Sequence, residues 1–394
     1  MTDRSAMPSP PPLNLAYFVS PHGFGHAARA VAVMHAVAQR LPGVHWHVFT
    51  TVPPWFFGEL ATGPVDVHRV ETDVGLVQGD AFSVDGPATV DRLQALLATL
   101  PERAAELAGL LRAARCRAVL CDISPLGIAT AQAAAIPSLL VENFTWDWIY
   151  ERLIEPSGTE ATADIAAVAP SLKPLADALA RIFAEADWRV TVTPAAGPAR
   201  PRGQTAGVVA RPRKRDVEAV RRELGLPQGA PVALVTMGGI GFNGLQAPLE
   251  THPDLHVILG GAAATERRGR VLHLGRDEGV YFPDLVAAVD LVVAKLGYST
   301  LAEVVQAGTP FAYVPYMAFP ENPVLAAFAE EHLASLPVSL AALTSGDWVD
   351  AIQPLLGDTR RVPVAATGAD DIASRLIARL EPRLGTPEPL DPAP

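Results

Sequence analysis

The sequence predicts two doubly wound α/β domains in tandem, Rossmann-like and facing each other across a central cleft. Three observations carry this. Short apolar runs alternate with amphipathic stretches, which is the pattern of parallel strands joined by helices. A proline-rich, basic segment interrupts the alternation once. The chain has 394 residues, more than one core ordinarily organises.

In the first half, strands are expected at Leu13–Val19, His45–Phe49, Val65–Val70, Ala118–Cys121, Ser138–Val141 and Arg189–Thr193. Helical spacing lies between them at His26–Arg40, Val90–Ala114 and Ile128–Ala135. After the interruption, strands are expected at Val232–Thr236, Leu255–Leu259, Val271–Leu274, Leu291–Ala294 and Phe311–Val314. Helices are expected at Arg215–Leu224, Asp284–Ala288, Ser299–Ala307 and Val324–Glu331. A last helix, Asp370–Leu380, has apolar spacing suited to packing on a domain surface. The expected organisation is a disordered start at 1–12, a first domain at 13–197, a linker at 198–215, a second domain at 216–384 and a proline-rich disordered tail at 385–394.

Composition excludes several classes. Hydrophobic residues make up 49% and charged ones 19%, so the chain has ample material for cores. The formal charge of −11 argues against nucleic acid as a partner, which needs a basic face. Cys116 and Cys121 match no zinc spacing and are too few for a disulfide scaffold. No basic-then-apolar leader opens the chain, and no run reaches about 18 apolar residues, so a cytoplasmic protein without a transmembrane segment is expected. The basic run Arg211–Arg215 reads as a solvated linker face, and peripheral membrane contact is not indicated.

The stretch SPHGFGHAAR, Ser20–Arg29, follows the first apolar run. Gly23 to Ala28 formally matches G-x-G-x-x-A, the dinucleotide fingerprint. That reading needs an acid at the end of the next strand, and here that strand runs into Thr50-Thr51-Val52-Pro53-Pro54. A second use fits better: Gly23 and Gly25 let a ligand approach the backbone, and free N–H groups at the helix start favour an anion or oxygen-rich group. His26 then sits in the first helical turn with Arg29 on the same face, and an imidazole there can act as a base near neutral pH. His22 is either a turn residue or a ligand contact. Asp122 ends a neighbouring strand, where it either holds the imidazole tautomer or caps the following helix.

The second half carries another constellation, LVVAKLGYSTLAEVVQAGTPFAYVP at Leu291–Pro315. A buried strand runs into Gly297, and Tyr298, Ser299 and Thr300 open a helix, a unit suited to a pyrophosphate. Glu303 lies close enough to reach a ribose diol. Glu321 and Asn322 sit in a polar loop that could bond sugar hydroxyls. A further glycine pair, Gly238-Gly239, follows the strand Val232–Thr236 and would face the same cleft.

Five stretches, in order from about Leu13 to Leu333, carry a resemblance: YFVSPHGFGHAARA, ETDVGLVQGDAFSVD, VENFTWDWIYERL, VRRELGLPQGAPVALVTMGG and AKLGYSTLAEVVQAGTPFAYVPY with FPENP after it. The chain resembles the GT-B glycosyltransferases, including the MurG-like enzymes. It is most similar to the glycosyltransferase-like N-terminal half of plant L-arabinokinase and its stand-alone bacterial relatives. The resemblance implies a GT-B fold and a nucleotide-diphosphate sugar as donor, with the acceptor open. It implies His26 as the base and Asp122 as its support. Gly297, Ser299, Thr300 and Glu303 would be nucleotide-diphosphate contacts, and Glu321 would meet the donor sugar. Asp80, Asp85, Asn143, Trp146 and Asp147 match the group's own signatures without a known role. Trp146 is either a flat face for a sugar or a core tryptophan. No galactokinase-type phosphate loop follows Leu333, so sugar phosphorylation is not carried over. No cofactor and no metal are expected, since no clustered ligand motif is evident. A nucleotide-sugar hydrolase of the same fold and a nucleotide-sugar-sensing module are the alternatives.

Overall fold

A computed structural model describes residues 13–79, 83–154, 163–199, 203–237, 249, 252–275, 280–316, 319–357 and 360–384. The expected start at 1–12 and tail at 385–394, together with Asp80, Gly238 and Gly239, lie outside the described residues.

The first lobe runs β1 (Asn14–Val19), α1 (Phe24–Arg40), β2 (His45–Thr50), α2 (Pro54–Gly58), β3 (Val65–Arg69), α3 (Gly86–Ala113), β4 (Val119–Asp122), α4 (Pro125–Ala134), β5 (Ser138–Glu142), α5 (Trp146–Ile154), α6 (Ala163–Ala184), β6 (Trp188–Val192) and β7 (Gln204–Ala206). Its strands form one parallel sheet in the order β3-β2-β1-β4-β5-β6-β7. The second lobe runs α7 (Val217–Glu223), β8 (Val232–Thr236), β9 (His256–Ala262), β10 (Glu266–Arg268), β11 (Val271–Gly275), α8 (Phe282–Ala288), β12 (Leu291–Lys295), α9 (Tyr298–Ala307), β13 (Phe311–Val314), α10 (Asn322–His332), β14 (Ser335–Pro337), α11 (Leu340–Ser345) and α12 (Trp348–Ala351). Its sheet has the order β10-β11-β9-β8-β12-β13-β14, with β10 antiparallel to its neighbour. A final helix, α13 (Gly368–Leu384), closes the described chain.

The central strands are continuous apolar runs because helices cover both faces of each sheet. Leu15, Tyr17 and Val19 of β1 face α1, while Ala16 and Phe18 face the α3 side. In each sheet the strand order reverses once, between β1 and β4 and between β8 and β12. Ligands of open α/β sheets bind outside the carboxyl ends at such a reversal. The chain turns after β1 at Ser20–Gly23, and after β12 at Leu296–Gly297, so each lobe presents its reversal point to the other.

Two features differ from the expected organisation. Residues 204–206, placed in a linker, pair with β6 as the seventh strand. The following Val208–Arg211 are buried, because they run through a core shared by both lobes. Helix α13, placed with the second domain, packs on α1 of the first. Gly368 N donates to Val208 O at 2.9 Å and Arg40 meets Asp370 at 2.6 Å. Helix α1 lies between the sheet and both α13 and α9, which is why its sequence, HAARAVAVMHAV, is apolar nearly all round.

Candidate active site

Asp122, the last residue of β4, is paired in register with Val19, the last of β1. That register brings the carboxylate beside the turn that carries His26. Asp122 is fully buried, and His26 Nδ1 lies 2.7 Å from its Oδ1. Arg29, one helical turn beyond His26, grips the same carboxylate at both oxygens, Nε to Oδ2 and Nη2 to Oδ1, each at 2.6 Å. With Oδ1 accepting at Nδ1, the imidazole carries its proton there and its Nε2 is left as a lone pair. Asp122 therefore holds the tautomer rather than capping α4, whose cap is Ser124.

The third guanidinium nitrogen of Arg29, Nη1, donates to Asn143 Oδ1 at 2.6 Å. Asn143 Nδ2 then donates to Glu321 Oε1, in the other lobe, at 2.5 Å. Because guanidinium only donates, it fixes the amide with its oxygen toward Arg29 and its nitrogen toward Glu321. One polar chain, His26–Asp122–Arg29–Asn143–Glu321, thus crosses between the lobes. Ser299 Oγ makes a second crossing, donating to Gly25 O at 2.6 Å. The expected cleft is accordingly closed at this point by direct contact. A cavity of about 710 Å³ opens elsewhere, at the amino end of the second sheet, lined by Arg221, His252, Asp290 and Arg360 among others.

Burial sets the charge states. Burial lowers the His26 pKa, and Asp122 only partly offsets it, so the ring is neutral at pH 7. His22 is pushed down to about 3 by burial and by the neighbouring His26 and Lys295, and stays neutral. Burial alone would raise the Asp122 carboxyl; Arg29 and His26 more than reverse this and hold it below its ordinary value. Glu321 is raised to about 7 by burial, against the opposing Asn143 bond, Arg29 and Lys295.

Several expected site residues serve the architecture instead. Trp146 is 1% exposed and is a core tryptophan, its ring edge-on to His22 at 5.1 Å and near His26 at 6.5 Å. Asp147 is buried in the first turn of α5. Asp85 caps α3, accepting from Ala88 N at 2.8 Å. Tyr298 turns away from the helix end: its hydroxyl donates to Thr193 O at 2.8 Å and accepts from Val209 N at 3.2 Å, with Arg29 over its ring. Asn322 spends its amide on Tyr316 N at 2.7 Å and Leu296 O at 3.4 Å, which ties two loops together. Glu303 is buried against Arg211, 2.8 Å from its Nε, rather than free to meet a ribose. Arg211 is buried too, since its guanidinium also meets Glu59 of the first lobe at 2.6 Å and lies over Phe56 and Tyr281. It is a bridge between lobes, not part of a solvated linker face.

What remains at the junction is coherent. Gly23 supplies φ 76° at the start of α1, a backbone position that favours glycine. Gly297 is the N-cap of α9 and has no side chain to cap it, and among the described residues no side chain is bonded to the first-turn amides of Tyr298, Ser299 and Thr300. Two residues escaped the sequence reading. Lys295 ends β12 with its ammonium 5.1 Å from the Tyr316 ring centroid, and its charge reaches both His22 and Glu321. Asp73 is buried beside Trp146, accepts from Ser20 Oγ at 3.1 Å, and is raised by burial to about 8. The signal for Lys295 was available: a charge at the carboxyl end of a buried strand, the position Asp122 holds in the first lobe.

Gly75 fixes the wall behind His22. Its φ is 61°, and an added Cβ would lie 2.8 Å from His22 Nδ1 and 2.9 Å from Trp146 Cζ2. Gly75→Ala is expected to cost about 1–3 kcal/mol, from overpacking and left-handed backbone together. Urea unfolding of the variant checks this; a midpoint equal to wild type would contradict it.

Against solved structures, the chain superimposes on the calicheamicin glycosyltransferase CalG4 with a TM-score of 0.61 at 17% identity, covering 95% of this chain and 100% of that one. The chain has the GT-B fold. Arabidopsis thaliana UGT89C1 complexed with UDP-L-rhamnose shares this GT-B architecture, with a TM-score of 0.58 at 14% identity over 93% of this chain and 98% of that one. In sequence, the chain is 27% identical over 348 residues to L-arabinokinase of Arabidopsis thaliana, covering 86% of this chain and 32% of the relative. It is 28% identical over 194 residues to a UDP-N-acetylglucosamine–N-acetylmuramyl-(pentapeptide) pyrophosphoryl-undecaprenol N-acetylglucosamine transferase of Clavibacter michiganensis, covering 44% of this chain and 52% of that one. The GT-B chain thus spans about a third of the first relative and about half of the second. No family model matches it. Among the described residues, no helix is long and apolar enough to cross a membrane.

Proposed function

We propose that the chain is a glycosyltransferase that moves a sugar from a nucleotide-diphosphate sugar to an acceptor hydroxyl. The observation that carries this is the 2.6 Å contact between Ser299 Oγ and Gly25 O. It joins the turn bearing the imidazole to the start of α9, whose N-cap Gly297 has no side chain, so a base and a diphosphate site share one seam. On this reading the diphosphate lies on the first-turn amides of α9, where the helix dipole favours an anion. Lys295 adds a positive charge nearby. His26 Nε2 takes the acceptor proton as the acceptor oxygen bonds the anomeric carbon and the bond to the diphosphate breaks. Arg29 already balances Asp122, so the protonated His26–Arg29–Asp122 group carries a net positive charge beside the departing diphosphate. Donor binding exchanges the Asn143–Glu321 bond for bonds to the sugar hydroxyls. The lobes part and close again around the ligand, which excludes water.

Relatives named for UDP-sugar chemistry support uridine donors as the first to test. Thermal shift against UDP-, GDP-, dTDP- and ADP-sugars is expected to give a concentration-dependent rise with at least one, since a ligand of the folded state stabilises it by mass action. Nucleoside diphosphate release should then depend on an added acceptor. No shift with any donor would count against the proposal; release of free sugar without acceptor would make the reaction a hydrolysis.

A further inference from the structure

We propose that His45, His47 and Asp66, with His68 as the fourth ligand, bind one divalent transition-metal ion of the zinc type at the edge of the first sheet. The cluster follows from two period-2 patterns. In β2, His45 and His47 flank Trp46, so the pleat sends both imidazoles to one face and Trp46 to the other, into the core. In β3, Asp66 and His68 flank Val67 in the same way. The parallel register sets His47 opposite Asp66 and Phe49 opposite His68. Four ligand-bearing side chains therefore share one patch of the sheet.

The distances suit a small ion. His45 Nε2 is 2.8 Å from Asp66 Oδ2, and His47 Nδ1 is 3.8 Å from the same oxygen. One ligand atom from each of these three residues lies within 4.8 Å of the other two. His68 Nε2 is 3.3 Å from His47 Nδ1. A tetrahedral zinc ion with bonds near 2.1 Å sets its ligand atoms about 3.4 Å apart, in the middle of these values. His68 lies beside this group and, as the fourth ligand, leaves its stack on the Phe49 ring to turn toward the shared point. The rings of His45 and His47 are already oriented by stacking on each other at 4.6 Å. His45 is 25% exposed and Asp66 57%, so an ion has access from solvent. Imidazole nitrogens with one carboxylate select zinc, nickel or copper over magnesium and calcium.

The position says what the ion does. Among the described residues β3 is an edge strand, paired with β2 alone. The ligands start at His45, the first residue of β2, whereas Asp122 lies at the carboxyl end of the sheet. The ion therefore acts as a clip that fastens the edge strand, apart from the transfer chemistry.

The test is titration of the chelator-treated, tag-free full chain with Zn²⁺ alone by calorimetry, with Co²⁺ absorption as the coordination signature. We expect one equivalent bound, tetrahedral-type visible bands with Co²⁺, and a higher thermal midpoint with Zn²⁺. Asp66→Asn, His47→Ala and His68→Ala should each weaken binding by at least about tenfold. Asp66 is exposed, so its variant is expected to keep the fold, and far-UV circular dichroism checks each protein. Absence of binding at micromolar Zn²⁺ would overturn the site. So would a stoichiometry and affinity unchanged in the His45→Ala/His47→Ala double variant, which would put the ion elsewhere on the surface.

Discussion

Replacing His26 by alanine is expected to lower turnover by about 10²–10⁴-fold, the usual contribution of a positioned base, while donor affinity stays unchanged. The separation follows from the geometry. His26 sits on the first lobe, with its Nδ1 held by Asp122 at 2.7 Å, while the proposed diphosphate amides belong to α9 of the second. The pH profile gives an independent check. Only the neutral ring can accept a proton, and burial sets the His26 pKa below its ordinary 6.5. The rate attributable to His26 should therefore be level at neutral pH and fall on acidification below 6.5. A His26→Ala enzyme as fast as wild type would remove the base assignment.

Asp122→Asn is expected to be the most destabilising single change at the site. Asp122 is 0% exposed and Arg29 2%, so the substitution leaves a buried guanidinium without its counter-charge. Breaking a buried pair in this way costs about 3–5 kcal/mol, more than the pair itself is worth against an apolar replacement. The pH dependence has a definite sign. The folded-state pKa of Asp122 lies below its unfolded value, so its stabilisation is fully present above the unfolded carboxylate pKa. It is lost as pH falls through the folded value. The gap between wild type and variant in urea midpoint should accordingly be widest near neutrality and narrow in acid. A gap under about 1 kcal/mol at pH 7 would mean that water, not Asp122, compensates Arg29.

Where the sequence was informative, the interactions were local. The apolar runs of β1, β4, β8 and β12 and the glycine turn before His26 announce themselves within about ten residues. The candidate pairing of His26 with Asp122, 96 positions apart, was legible only because each residue marks a local position, a helix start and a strand end. Helix α6 was missed because Pro170 and Pro174 lie inside it and read as breakers, although Leu172, Ala176, Leu179 and Phe183 fill the core on one face. Three-residue edge strands such as β7 and β14 carry too little pattern to see. Other partners distant in sequence, in positions that carry no such local mark, were not legible. Tyr298 and Glu303 stand in a convincing ligand-binding motif, yet Thr193, Val209 and Arg211, between 89 and 105 residues earlier, claim their polar atoms. The return of α13 onto α1 is of the same kind, with Arg40 and Asp370 separated by 330 positions. The histidine patch was overlooked for a different reason. Each strand shows only an i, i+2 pair, and the set exists only once β2 and β3 are in register.

In the proposed transfer, one diphosphate is held between the start of α9 and the imidazole of the first lobe. A crystal structure with the nucleoside diphosphate that gives the largest thermal shift tests it most directly. Both phosphates are expected on the amides of Tyr298, Ser299 and Thr300, with His26 Nε2 facing the space where the anomeric carbon would lie. Phosphates bound instead among Arg221 and Arg360, at the amino end of the second sheet, would contradict it.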